Sequence, residues 1–312
     1  LVLTLLIICK LFSSDNLMDN ITEKQNSKSK KIDKSSTYEI LSIINEEDKK
    51  IAAVIQEIIP EIALVVNCVV DNFKKGGRLF YFGCGTSGRL GVLDASECPP
   101  TFSVSRKMVQ GVIAGGNKAL VKSVEKAEDS SNDGKKNIEK NKINNLDTVI
   151  GLSAIGTANY VHGALMEAKK RNATTVLICC NYLNKKKYID YSINAVVGPE
   201  IIAGSTRMKA GTATKMILNM ISTTAMIKLN KVYNNLMVDV NVSNEKLFNR
   251  ALNIISNICS CSLKESKFYL DKSSGNVKAA VVMKEKSISL SNSILLLNKY
   301  NGSLRDVLEC SK

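Results

Sequence analysis

A chain of 312 residues with 45% hydrophobic content can fill one large core or two ordinary ones. Its formal net charge of +14 comes mostly from lysines scattered among Asn and Ile, without an Arg-rich or aromatic-interleaved stretch, so no nucleic-acid partner is expected. Nine cysteines without a Cys-x-x-Cys pair, and a single histidine, His162, give no metal-ligand spacing. No metal and no other cofactor is expected, and the odd thiol count fits a reducing, cytoplasmic setting.

The apolar stretch Leu1 to Cys9 lacks a basic start and a small-residue cleavage site, and is too short to span a bilayer. No membrane association is expected. Residues 1–17 read as an upstream extension, with Met18 as the natural start. The polar, lysine-rich residues 20–35 read as an extended arm. From Thr37 to Phe73, Ile40, Leu41, Ile44, Ile51, Val54, Ile55 and Ile58 recur at helical spacing, and Pro60 breaks the run into two helices.

Strands then alternate with helices. The pattern predicts strand 78–83, a helix after Ser87, strand 109–114, helix 117–129, strand 147–153, helix 159–171, strand 174–180, a short strand 194–198 and a long helix 211–228. This alternation predicts the α/β class, a parallel sheet sandwiched by helices. Beyond Asn241 the strand signals stop. Ser262-Leu-Lys-Glu265 is a capping box, and the apolar spacing at 277–283, 288–297 and 304–308 is helical. The expected organisation is the extension 1–17, an N-terminal helical arm 18–75, an α/β domain 76–240 and a small all-helical C-terminal domain 241–312.

Chemistry concentrates between Tyr81 and Thr101. An apolar strand runs into Gly83, Gly85 and Gly88, whose backbone can turn tightly and present consecutive N–H groups. Thr86 and Ser87 add hydroxyls at a helix start, where the dipole and free N–H groups favour an anion; a simple N-cap is the alternative. Glu97 follows just before Cys98-Pro-Pro, which reads as a helix stop. The ten residues from Ser87 to Glu97 span about 15 Å along a continuous helix, beyond the reach of one hexose phosphate. Either the helix ends early or the two residues serve different sites, which sharing across a dimer would resolve. Ser205, Thr206, Arg207 and Lys209 form a second polar cluster at a helix start, suited to a carboxylate or phosphate, with capping and an exposed basic turn as the alternative. His162 reads as packing or capping, and Cys84 as a small side chain fitting the glycine loop.

Five segments in order carry a specific likeness. They are Gly83 to Phe102 (GCGTSGRLGVLDASECPPTF), Val112 to Gly116 (VIAGG), Val124 to Asp129 (VEKAED), Val197 to Thr212 (VGPEIIAGSTRMKAGT) and Val232 to Val240 (VYNNLMVDV). From about Ile21 to its end the chain resembles bacterial N-acetylmuramic acid 6-phosphate etherases, members of the sugar isomerase (SIS) superfamily to which the glucokinase regulatory protein is also related. The resemblance implies a SIS-type sheet, a homodimer with its site near the subunit interface, and removal of D-lactate from carbon 3 of a 6-phosphorylated sugar by elimination and hydration. It implies Glu97 as the acid toward the ether oxygen and Glu128 as the base at carbon 2; composition alone reads them as a helix-end charge and a solvated helix face. Gly85, Thr86, Ser87, Gly88, Arg89 and Ser153, with Ser205, Thr206, Arg207 and Lys209, are the implied binding residues for a small-molecule sugar phosphate.

One segment departs from the pattern. Where the family carries Ser-Ala-Ser-Gly-Arg-Thr-Pro-Tyr, this chain has Ser153-Ala-Ile-Gly-Thr-Ala-Asn-Tyr160. Ile155, Thr157 and Ala158 thus replace three polar groups, which predicts a weakened grip on the ligand. The lysine-rich run Tyr182 to Tyr191 also looks unlike the family. A non-catalytic sugar-phosphate sensor is the alternative function, but a sensor has no need of both Glu97 and Glu128.

Overall fold

The computed structural model describes residues 20–184, 186–240, 242 and 244–310; the expected extension 1–17 and the start at Met18 lie outside the described residues. Five strands, β1 (Leu79–Gly83), β2 (Val109–Ile113), β3 (Thr148–Leu152), β4 (Thr174–Cys179) and β5 (Tyr191–Asn194), pair in parallel in the order β2-β1-β3-β4-β5. Because side chains alternate across a strand, Leu79, Tyr81, Ile150, Leu152, Val176 and Ile178 enter one core, and Phe80, Phe82, Val149 and Leu177 enter the other. Burial on both faces explains why these strands read as continuous apolar runs.

Helices α1 (Thr37–Glu57), α2 (Ile59–Lys74) and α3 (Gly85–Phe102) contribute to the first core. After the single turn α4 (Lys118–Val121), helices α5 (Ser131–Lys140) and α6 (Asn159–Lys170) cover the second face, while the long α7 (Lys209–Lys228) returns to the first. The chain then forms a two-stranded hairpin, β6 (Val232–Tyr233) and β7 (Leu236–Met237). Five helices follow: α8 (Glu245–Cys259), α9 (Leu263–Lys272), α10 (Val277–Lys286), α11 (Leu290–Lys299) and α12 (Leu304–Glu309). The α/β class and the helical C-terminus are as expected. The C-terminal core also draws in Tyr233, Leu236, Val238 and Val240, ahead of the expected boundary at 241.

Local signals place most helix ends. Ser36 and Ser262 form complete capping boxes with Glu39 and Glu265, and Pro60 stands in the first turn of α2, which bends 61° from α1. No single described helix is long and apolar enough to cross a membrane.

Four expectations need correction. Residues 20–35 are not an extended arm but three 3-10 turns that bury Thr22, Asn26 and Ser29. The expected helix 117–129 is only α4 and a 3-10 turn at Glu125–Ala127. Helix α5 is absent from the sequence reading because its only apolar residue is Ile138. It forms by close packing: a Cβ on Gly134 would lie 2.1 Å from Tyr160 O, and one on Gly163 2.1 Å from Ser131 O. The last strand of the parallel sheet is Tyr191–Asn194, not 194–198, because its register with β4 ends at Cys179↔Asn194.

A buried charge network joins the N-terminal turns to α1 and α7. Lys209 Nζ donates to Glu47 Oε2 at 2.9 Å and to the Val197 carbonyl at 2.8 Å, with Lys209 and Glu47 side chains 1% and 3% exposed. Asn26 Nδ2 donates to the same carboxylate at 2.9 Å and to Pro199 O at 3.1 Å, while Lys50 pairs from outside. Glu200 accepts the N–H groups of Lys209 and Ala210 at 2.9 Å each, filling the start of α7. Burial alone would raise the Glu47 carboxyl, but hydrogen bonds from Lys50, Lys209 and Asn26 override it and hold it at about 2. Since its folded value lies below its unfolded one, the stabilisation is complete above the ordinary carboxylate range and is lost as pH falls through the folded value. It amounts to about 3 kcal/mol. In urea denaturation, Glu47→Gln is expected to cost about that much at neutral pH, with the gap to wild type narrowing steadily below about pH 4.5. Lys209→Met, which removes the one fully buried cation beside Glu47 and leaves Asn26 and Lys50, is expected to cost about 3 kcal/mol.

Candidate active site at the sheet switch point

Strand β1 lies between β2 and β3, with Gly83 opposite Ile113 on one side and Leu152 on the other. The chain winds outward in both directions from this point, so the loops after β1 and β3 leave a crevice at the carboxyl edge of the sheet. The loop after β1 is the glycine cradle. Gly85 adopts φ +49°, a left-handed value that glycine supplies without steric cost. Cys84 is extended and provides no side-chain cap, and α3 begins with Gly88 N–H donating to Cys84 O at 3.0 Å. The N–H groups of Gly85, Thr86 and Ser87 meet no protein acceptor among the described residues, at the positive end of an 18-residue helix. The helix thus starts two residues before Ser87 instead of after it. A Cβ on Gly88 would sit 2.6 Å from Gly83 O, so strand end and helix start touch through glycine alone. Arg89 packs outward, its Nε donating to Leu120 O at 3.0 Å.

Glu128 is exposed, in the turn that precedes α5. Burial, then the negative charges of Glu128 and Asp129, push the Cys84 thiol up to about 12. The shift keeps the Cys84 thiol protonated at neutral pH. The main chain of Glu128 is anchored to α6, whose Tyr160 N–H donates to Glu128 O at 2.9 Å. Although the residue as a whole is exposed, its carboxyl is raised above the ordinary carboxylate value, first by the protein around it and then by Asp129. Ser153 is buried at the end of β3, where its Oγ accepts the N–H groups of Gly156 at 3.0 Å and Ala158 at 3.4 Å.

The start of α7 faces the same cradle from the first side of the sheet. A cavity of about 330 Å³ is lined by Thr86, Leu90, Arg207, Gly211, Lys215 and Asn219 among others. Arg207 is exposed, and Ser205 and Thr206 are half-buried in the preceding turn. Lys209 is a correction: its ammonium is enclosed by Glu47 and Val197 O and is held within the fold, away from any ligand. Lys215, which sequence reasoning missed, takes its place in the cavity. Its Nζ donates to Asp94 Oδ1 at 2.9 Å and Asn219 Oδ1 at 2.6 Å, and Asp94 also accepts from Tyr81 at 3.1 Å and Ser222 at 3.3 Å. The available signal was spacing, since Gly211, Lys215 and Asn219 fall four apart on one helical face.

Glu97 is not brought to this crevice. Helix α3 runs through Pro99 and Pro100 to Phe102, so the expected stop after Cys98 does not occur. The prolines leave the carbonyls of Ala95 and Ser96 without helical donors, but both residues line an open groove of about 1030 Å³. An unbroken helix keeps Glu97 about 15 Å from Ser87. Glu97 itself is exposed on the outer face beside that groove.

The chain matches the model of the glucokinase regulatory protein N-terminal SIS domain over residues 61–169, and that of the C-terminal lid domain of glucokinase regulatory protein over 234–298. Among curated proteins it is 49% identical to N-acetylmuramic acid 6-phosphate etherase 1 of Bacillus licheniformis over 92% of this chain and 95% of that one. It is 47% identical to N-acetylmuramic acid 6-phosphate etherase of Bacillus subtilis over 94% and 97%, and 49% identical to that of Clostridium botulinum over 93% and 97%. A putative phosphosugar isomerase of Bacteroides fragilis superposes with a TM-score of 0.44 at 14% identity, covering 63% and 94%, too distant to bear on chemistry.

The cradle geometry makes a direct test available. Gly88→Ala is expected to destabilise the fold by about 1–3 kcal/mol, because its methyl group meets main chain that cannot yield. It is also expected to abolish thermal protection by inorganic phosphate, read by differential scanning fluorimetry.

Proposed function

The chain belongs to the N-acetylmuramic acid 6-phosphate etherase family, and we propose that it converts N-acetylmuramic acid 6-phosphate to N-acetylglucosamine 6-phosphate and D-lactate. The observation that carries this reading is identity of 47–49% to three etherases across more than nine-tenths of the chain, with both Glu97 and Glu128 retained. In the open-chain sugar the aldehyde acidifies the proton on carbon 2. Glu128 takes that proton, the bond from carbon 3 to the ether oxygen breaks, and Glu97 protonates the departing lactate. Glu97 then removes a proton from water as it adds to carbon 3, and Glu128 returns its proton to carbon 2. The enzyme is therefore a carbon–oxygen lyase. A carboxyl raised by the protein around it and by the like charge of Asp129 suits a base that must also give its proton back.

The N–H groups of Gly85 to Ser87 with the two hydroxyls hold the phosphate, and Arg207 and Lys215 face the rest of the ligand. Glu97 lies a helix length from the cradle of its own subunit, so a second copy supplies it and the working unit is a homodimer with the site at the interface. The C-terminal helices form a separate domain that begins at the β6–β7 hairpin. A phosphorylated sugar is met in the cytoplasm, and its chemistry belongs to amino-sugar and peptidoglycan recycling. The second reading, a sugar-phosphate-binding regulator, is favoured only by the description of the matched domain models.

Incubation of the purified protein with N-acetylmuramic acid 6-phosphate is expected to release D-lactate; thermal stabilisation by the sugar without lactate would favour the regulator. Glu97→Gln and Glu128→Gln are each expected to be inactive, yet mixing and refolding them together should recover about a quarter of wild-type activity, because half the dimers then hold one intact site. Continued inactivity of the mixture excludes the shared site. The acid limb of kcat/KM follows deprotonation of Glu128 and lies above the ordinary carboxylate range. Asp129→Asn removes the neighbouring charge and is expected to move that limb to lower pH.

A further inference from the structure

The segments 153–160 and 182–191 meet in space. Gly156 adopts φ +91°, and a Cβ there would lie 2.3 Å from Leu183 Cδ1, so the second segment presses directly on the first. His162 stands one turn into α6 with Nε2 2.7 Å from the Gly156 carbonyl and Nδ1 3.1 Å from the Tyr188 hydroxyl. A carbonyl can only accept, so Nε2 carries the proton and Nδ1 accepts from Tyr188. The two rings meet edge to face at 5.9 Å. Burial lowers the histidine below its usual range, which keeps the ring neutral and this tautomer fixed. From the other side Asn181 Nδ2 donates to Ile155 O at 3.1 Å.

The loop so held carries Ser153, and the N–H groups of Ala154, Ile155 and Thr157 meet no protein acceptor among the described residues. It leads into the α6 start that anchors Glu128. We propose that Tyr188 and His162 are positioning residues. Together they clamp the 153–158 loop in the form that receives the sugar phosphate, with the N–H groups of Ala154, Ile155 and Thr157 left free to donate. The pair acts through Gly156 and touches no reacting atom. This inference rests on the etherase reading of the site.

The test compares wild type, His162→Leu, His162→Gln and Tyr188→Phe in D-lactate release and in equilibrium binding of N-acetylglucosamine 6-phosphate. Ile254→Val, in the C-terminal core, serves as a control for general loss of stability. His162→Leu is expected to raise KM and the product Kd together by about tenfold, the worth of one lost buried hydrogen bond, with kcat changed less than about threefold. His162→Gln keeps a donor toward Gly156 and should recover most of the affinity. Tyr188→Phe should weaken binding alone but add little to His162→Leu, since the two act in series. Unchanged KM and Kd in His162→Leu would overturn the inference, as would a kcat and KM pattern matching an Ile254→Val control of equal Tm loss. If wild type binds the product but releases no lactate, the etherase reading fails, while the binding arm still decides the clamp.

Discussion

The buried pair of Lys209 and Glu47 fixes the relation of three parts of the chain that are far apart in sequence. A lone ammonium at that depth would be costly, so Lys209 is tolerable only while Glu47 is in place, and Glu47 is held in turn by Lys209, Asn26 and Lys50. The consequence is geometric. The N-terminal turns, through Asn26, and α1, through Glu47, are both tied to the first residue of α7. Ser29 Oγ donates to Ile201 O, and Gly204 N–H donates to Thr22 O, so the turn carrying Ser205 to Arg207 is held from both sides. What reads as an arm is a brace on the turn that leads into α7.

Helix α3 transmits that order to the chemistry. Its start is the cradle, its middle is locked, and its end carries Glu97. The lock is Asp94, which accepts from Tyr81 of β1 and from Lys215 and Ser222 of α7. Burial, followed by the charge of Asp94, raises the Tyr81 phenol well above its ordinary range, so it remains a donor under all working conditions. Sheet, cradle helix and α7 therefore share one carboxylate. Glycine completes the arrangement, because Gly91 against Tyr81 and Gly111 against Val92 let α3 lie close on the strands.

Much of this was legible in the sequence. Strands β1 to β4 announced themselves because burial on both faces leaves apolar runs, and the cradle did so because three glycines and two hydroxyls directly follow a strand. The capping boxes fixed helix starts by local chemistry. The failures share a cause, which is that contact outweighed pattern. Helix α5 is polar almost throughout and exists because two glycines admit a neighbouring backbone. The run Cys98-Pro-Pro looks like a terminator, yet a helix can carry proline where the residues that lose their helical donors line an open groove. Lys209 looked like a ligand group in a basic turn, and only the placement of Glu47, 162 residues away, shows that it is spoken for. No local window contains that information.

Glu200 has one more consequence. Two helices begin beside the crevice, and each would ordinarily welcome an anion. At α7 the welcome is already taken up, since the Glu200 side chain binds the first two amides and brings its own negative charge. At α3 the amides stand open. The fold thus supplies two helix starts of opposite character, one whose first amides are free to donate and one whose amides are satisfied from within by a side chain of the same chain.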